Sequence, residues 1–149
     1  MALRTLTDAS DLDGQVVFLR VDANVPLDGS TITDDGRIRA FLPTLEWLTS
    51  RGAAVVLGSH LGRPTGPGDT HLSLAPVAAR VSELLGTDVP LLPGVTGDAV
   101  WEALEGLLPG GVCLLENLRF DPRETSSEAS QRLSLATEWA EHVDATVVD

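Results

Sequence analysis

Four short polar stretches carry the residues able to do chemistry, and each stands beside or just after an apolar run. Arg20-Val21-Asp22-Ala23-Asn24-Val25-Pro26 sets a carboxylate and an amide two positions apart. On an extended chain both point to the same side, where together they can hold a hydroxyl group. Arg37 and Arg39 open a helical pattern. The macrodipole disfavours cations at a helix start, so arginine there suits an anion-binding end. Two apart on a helix, the pair cannot share one face, and Arg37 is singled out as the chemical residue. Ser59-His60-Leu61-Gly62-Arg63-Pro64 presents a histidine and an arginine, with Gly62 letting the backbone approach a ligand closely. Glu116-Asn117-Leu118-Arg119-Phe120 supplies a further amide and guanidinium. Arginine matches the planar fork of carboxylate or phosphate, so the four stretches together imply a small anionic substrate.

Each stretch also has a plainer reading. Asp22 and Asn24 suit an Asx turn before Pro26. Arg37 and Arg39 suit a charged surface, and Arg119 suits a salt bridge with Glu116 or Asp121. A lone histidine such as His60 is commonly a satisfied structural residue. Cys113, inside an apolar run, reads as core. Trp47, Trp101 and Trp139 fall in helical patterns and read as packing. Glu138 and Glu141 read as a solvated helix face. What favours the chemical reading is that several strand-like runs end in the same way. In open α/β sheets ligands sit at the carboxyl ends of strands.

The elements that must position these residues alternate. Val16–Arg20 is a strand pattern, followed by a turn at Asp28-Gly29. Ile38, Phe41, Leu42, Leu45 and Leu48 form one face of a helix, with Thr33, Asp34 or Asp35 available as its cap. Pro43 predicts a kink, or a helix that starts near it. Residues 53–57 form a buried apolar strand. The Gly/Pro-rich stretch 64–70 is a loop. Ser73 caps a helix striped by Leu74, Val77, Ala78, Val81, Leu84 and Leu85 and stopped by Gly86. Residues 89–92 read as a short strand, 98–107 as a helix and 112–115 as a strand. Thr125 and Glu128 resemble a capping box for a helix whose apolar face is Ala129, Leu133, Ala136, Ala140 and Val143. Residues 145–148 form a fifth strand. Right-handed crossovers then give an α/β fold: a three-layer, Rossmann-like parallel sheet with helices on both faces.

Composition narrows the partners. The 149 residues are 43% hydrophobic and 21% charged, with a net charge of -12. That charge argues against nucleic acid or anionic membrane as a partner. No apolar run is long enough to span a bilayer, and residues 1–15 lack a secretory signal pattern. A single cysteine excludes an internal disulfide framework and fits a reducing compartment. All ten basic residues are arginine. Lys and Tyr are absent and Ile, Asn, Phe and Met are scarce, which fits a GC-rich genome better than salt adaptation because the depletion reaches uncharged residues. Neither G-x-x-x-x-G-K-[ST] nor G-x-G-x-x-G occurs, so no ordinary nucleotide-binding loop is present. There is no zinc-type His/Cys spacing and no G-x-S-x-G elbow.

Taken in order and spacing, Arg20–Pro26, Ile32–Ala40, Ser59–Pro64 and Glu116–Phe120 resemble the motifs of the amino-terminal domain of phosphoglycerate kinase. Ser73-Leu74-Ala75-Pro76-Val77-Ala78 is similar to its second-helix segment, and the likeness covers nearly the whole chain. The stretch Thr33–Ala40 looks most like versions from high-GC bacteria. The resemblance implies a glycolytic, cytoplasmic phosphotransferase, monomeric when complete. Its amino-terminal domain holds 3-phosphoglycerate or 1,3-bisphosphoglycerate, and a carboxyl-terminal nucleotide-binding domain holds Mg-ATP. By the same resemblance Asp22 and Asn24 hold the hydroxyl end of the glycerate. Arg63 and Arg119 bind its phosphate beside His60. Arg37 orients the carboxylate and stabilises charge on the phosphoryl group in flight.

Two departures stand out. Ala23 replaces a large apolar residue usual in the family. Asp149 resembles the first residue of a further motif that carries another substrate arginine. Residues 1–149 are therefore expected to be a truncated amino-terminal domain without its nucleotide partner, inactive alone. A non-catalytic module for a phosphorylated small acid and one half of a split kinase are the alternatives.

Overall fold

The computed structural model describes residues 5–149. Residues 1–4, which begin the stretch read as lacking a secretory signal, lie outside the described residues. Strand β1 (Val16–Arg20) leads through an extended loop into a small antiparallel ribbon, β2 (Leu27–Asp28) and β3 (Thr31–Ile32). Helix α1 (Gly36–Thr49), strand β4 (Ala54–Gly58), helices α2 (Ala75–Leu85) and α3 (Asp98–Glu105), strand β5 (Val112–Leu114), helix α4 (Ala129–Ala140) and strand β6 (Ala145–Val148) follow. The main sheet has the order β5-β4-β1-β6 and is parallel throughout.

The sheet is covered on both faces. Val17, Leu19, Val55, Leu57 and Leu114 pack with Ile38, Phe41, Leu45 and Leu48 of α1 and Val77, Ala78 and Val81 of α2. Phe18, Val56 and Cys113 point the other way, to Val100 and Leu104 of α3 and Leu135 and Trp139 of α4. Three layers result. β4 is buried along its whole length, as its unbroken apolar run requires for a central parallel strand. On the second face Trp139 packs edge-on against Phe18 and Trp101, with centroids 5.1 and 4.9 Å apart.

The structure corrects several expectations. Residues 89–92 are not a strand: only Leu91 bridges Leu114, because Pro90 cannot donate to a ladder. The sheet therefore has four strands and not five. Helix α1 runs through Pro43 without ending there. Its first N–H, that of Gly36, donates to Asp34 Oδ1 at 2.8 Å, while the Asp35 carboxylate goes to Arg39 and Arg80. Ser73 Oγ accepts from Ala75 N at 3.2 Å, but the cap position is Leu74, whose N–H donates to Glu116 Oε1 at 2.8 Å, so Ser73 is not the sole cap expected; Gly86 ends α2 in the left-handed conformation. Helix α3 stops at Glu105. The capping box at Thr125 and Glu128 is absent: α4 starts at Ala129, and Ser126 Oγ accepts from Glu128 N. The buried face of α4 is Leu135 and Trp139, whereas Leu133 is 66% exposed. Glu138 is not simply solvated, since it accepts from Arg123 at 2.9 Å.

For function the parallel register matters most. Arg20 stands level with Gly58 and with Val148, and Leu57 with Leu114. The chain therefore leaves β1, β4 and β5 on one edge, in loops about 5 Å apart from strand to strand. The strand order reverses at β1, the topological feature that opens a crevice at that edge.

Candidate anion-binding site

The loop after β1 stays extended. Val21, Ala23 and Val25 are buried, while Asp22 is exposed and Asn24 half-buried. The alternation aims both polar side chains outward. Ala23 is fully enclosed in the main core, so this loop is anchored by its apolar positions. Asp22 Oδ1 also accepts from Asn24 N at 3.0 Å, so the Asx turn is present too.

Arg37, in the first turn of α1, reaches this loop. Its Nη1 donates to both Asp22 oxygens, at 3.0 and 2.8 Å. Burial pushes the Asp22 carboxyl up. The Asn24 N–H, the Arg37 guanidinium and the charge of His60 together outweigh it and hold the group below the ordinary carboxylate range. Arg39 turns away to Asp35, 3.0 Å distant. The two arginines diverge as their spacing requires.

The loop after β4 is fixed by backbone ties on both sides. Val21 N donates to Gly58 O, and Leu118 N to Ser59 O, each at 3.0 Å. Gly62 has φ +59, and a Cβ there would meet Leu72 Cδ2 at 2.9 Å, so any other residue would be strained and would push Leu72 aside. Its peptide groups join the neighbouring loops: Gly62 N donates to Asn24 Oδ1 at 3.0 Å, and Gly62 O accepts from Arg119 Nη1 at 2.9 Å. Arg63, the next residue, is exposed.

The loop after β5 forms a short 3-10 turn, Leu118–Phe120. Arg119 is in no ion pair among the described residues. Glu116 is taken by Ser73 Oγ and Leu74 N, and Asp121 by Arg123. The expected alternative, a salt bridge from Arg119 to one of these acids, does not form. Instead Arg119 Nε is buried without a partner. An unmet donor of this kind costs about 1–3 kcal/mol, which turning toward an anionic oxygen would recover. His60 lies among these charges. Its burial lowers its basicity, and the nearby Arg119 and Arg20 lower it further against the opposing pull of Asp22 and Glu124.

Contacts therefore link Arg37, Asp22, Asn24, Gly62 and Arg119 in one chain along the carboxyl edge of the sheet, with His60 within electrostatic reach of Arg119 and Asp22 and Arg63 adjoining Gly62. In a molecule of net charge -12, this edge offers cationic groups beside one carboxylate and one amide. It suits a small anion that also carries a hydroxyl. Two contacts lie beyond what side-chain types could indicate. Arg20 is held by Glu124 at 2.7 Å, and the backbone of Gly62 ties the loops. No side-chain pattern announces a backbone contact. Cys113 is buried in the second core, its thiol pushed up to about 12 by burial, which leaves it out of the chemistry.

Among the described residues no cluster of three or more His, Cys, Asp or Glu is placed to hold a metal ion, and no helix is long and apolar enough to cross a membrane.

The comparisons agree on one family. The model described as phosphoglycerate kinase matches residues 6–149. The phosphoglycerate kinase of Bifidobacterium longum subsp. infantis is 51% identical over 147 residues, covering 99% of this chain and 37% of the relative. That of Leifsonia xyli subsp. xyli is 52% identical over 149 residues, covering 100% and 37%. The crystal structure of phosphoglycerate kinase from Pyrococcus horikoshii OT3 superposes with a TM-score of 0.89 at 32% identity, over 99% of this chain and 36% of that one. The chain thus spans little more than a third of the length of the curated relatives it matches.

Proposed function

Because this chain belongs to the phosphoglycerate kinase family, we propose that it is the amino-terminal, acceptor-binding part of such an enzyme and holds 3-phosphoglycerate or 1,3-bisphosphoglycerate on the edge just described. Asp22 and the Asn24 amide take the hydroxyl. Arg63 and Arg119 grip the phosphate, with His60 beside them. Arg37 orients the carboxylate and stabilises the charge that develops during transfer, a task of positioning and electrostatics with no covalent protein intermediate. The observation that carries the reading is the double use of Gly62, whose N–H and C=O join the Asn24 loop to Arg119. Groups suited to the two ends of one ligand are thereby held in a fixed relation.

The family implies Mg-ATP as co-substrate, and this reading gives it no residue of this chain. We place the nucleotide on a carboxyl-terminal domain, a partner this chain meets in a monomeric, cytoplasmic enzyme. No step is assigned to nucleotide in this chain.

Titration calorimetry tests the reading. The folded chain is expected to bind 3-phosphoglycerate one to one, more weakly as salt is raised, and to show no heat with Mg-ATP. It should form no product from the two together. A folded chain that ignores 3-phosphoglycerate overturns the proposal.

A further inference from the structure

Ser59 and Asn117 are the two wholly buried polar side chains among the described residues. A buried polar group is costly unless its hydrogen bonds are met, so its partners show what it is kept for. Here they are not the sheet ladder or any of the four α-helices. Ser59 Oγ accepts from Ala23 N at 2.9 Å and donates to His60 O at 3.3 Å. Asn117 uses its whole amide. Oδ1 accepts from Leu61 N and Arg119 N at 3.3 and 3.1 Å, and Nδ2 donates to Leu61 O and Leu72 O at 2.8 and 2.9 Å. Ser59 therefore fastens the loop of Asp22 and Asn24 to the loop of His60 and Arg63. Asn117 fastens that second loop to the one that carries Arg119.

We infer that Ser59 and Asn117 are positioning residues for the anion site, Ser59 setting the first loop against the second and Asn117 the second against the third. The inference rests on the reading under Proposed function. It adds a division of labour that bulk packing would not produce. A ligand that bridges all three loops needs both ties. Inorganic phosphate, held by Arg63 and Arg119 alone, needs only Asn117.

The test compares Ser59→Ala and Asn117→Ser with the parent chain, using 3-phosphoglycerate and inorganic phosphate as probes. Calorimetry gives the affinities, and amide NMR reports which residues respond. Losing one neutral hydrogen bond corresponds to about fivefold. S59A should weaken 3-phosphoglycerate by about that factor and leave phosphate within about twofold. N117S should weaken both by about fivefold or more. Equal effects of S59A on the two ligands, or none on either, overturn the inference, as does an N117S variant that keeps its phosphate affinity. So does phosphate that leaves the Arg63 and Arg119 amide signals of the parent chain unmoved. Hydrogen exchange on the parent chain decides the matter if a variant does not fold. The Ala23 and Leu61 amides should be protected, and 3-phosphoglycerate should slow both while phosphate slows only Leu61. Exchange of both at unstructured rates overturns the inference. A folded parent chain that binds phosphate but not 3-phosphoglycerate sinks the substrate reading instead.

Discussion

Replacing Arg37 by alanine separates what holds the site from what holds the fold. Arg37 and Asp22 meet at 2.8 Å, but their side chains are 54% and 58% exposed. An exposed pair of this kind is screened by water and salt, so its loss should change stability by no more than about 0.5 kcal/mol. That corresponds to a melting shift of about 2 °C or less for a chain of this size. Ligand affinity should respond more. A charge-assisted hydrogen bond to a carboxylate is worth about 1.5–3 kcal/mol. Part of that is offset because Arg37 already bonds Asp22 in the free chain. The net loss expected is about 1.4 kcal/mol, or roughly tenfold in affinity for 3-phosphoglycerate. The Asp22 carboxyl, relieved of its cation, should titrate higher than in the parent chain. Calorimetry, a thermal melt and carboxyl-detected NMR read the three quantities on one sample. A melting loss of about 5 °C or more, or an unchanged affinity, would refute the reasoning.

His60 is less easily protonated in the folded chain than at its ordinary value of 6.5. The unfolded chain therefore binds more protons as pH falls through 6.5 toward the lowered folded value, and stability must decline across that window. Melts between about pH 7.5 and 5.5 should show the decline, and His60→Gln should flatten part of it; identical profiles contradict the electrostatic picture of the site. On α4, Leu135→Ala should cost about 2 kcal/mol or more and Leu133→Ala less than about 0.5 kcal/mol, as measured by urea unfolding. A reversed order would mean that the helix is rotated. Cys113, with its thiol raised to about 12 by burial, should resist thiol reagents at neutral pH until the chain unfolds. Prompt labelling of the native chain would show that the second core opens.

Much of this molecule is legible along the chain because its signals are local. An unbroken apolar run such as that of β4 has few other structures open to it. Gly86 ends α2 by local capping chemistry, whereas at its start Ser73 shares the work with the distant Glu116, which accepts from Leu74 N. The polar stretches that end β1, β4 and β5 follow from the same punctuation, and their order and spacing identify the family. On α4 two apolar stripes satisfy the helical period about equally. The large indole of Trp139 found its place against Phe18 and Trp101, residues far away in sequence, and so turned Leu133 to water. Residues 89–92 have strand-like side chains, but Pro90 matters only once a ladder has to be built.

What the sequence by itself determined is therefore the set of elements, their alternation and the kinds of group offered at each strand end. Tertiary structure alone decided which of those groups meet. The parallel register brought Arg20 level with Gly58 and Val148. Asp35 drew Arg39 away while Asp22 drew Arg37 in. Gly62, Ser59 and Asn117 joined loops separated by up to 57 positions. The Asp35–Arg39 contact is a local i,i+4 pair, but the others depend on distances in space, and those of Gly62, Ser59 and Asn117 are closed through backbone groups that every residue type shares.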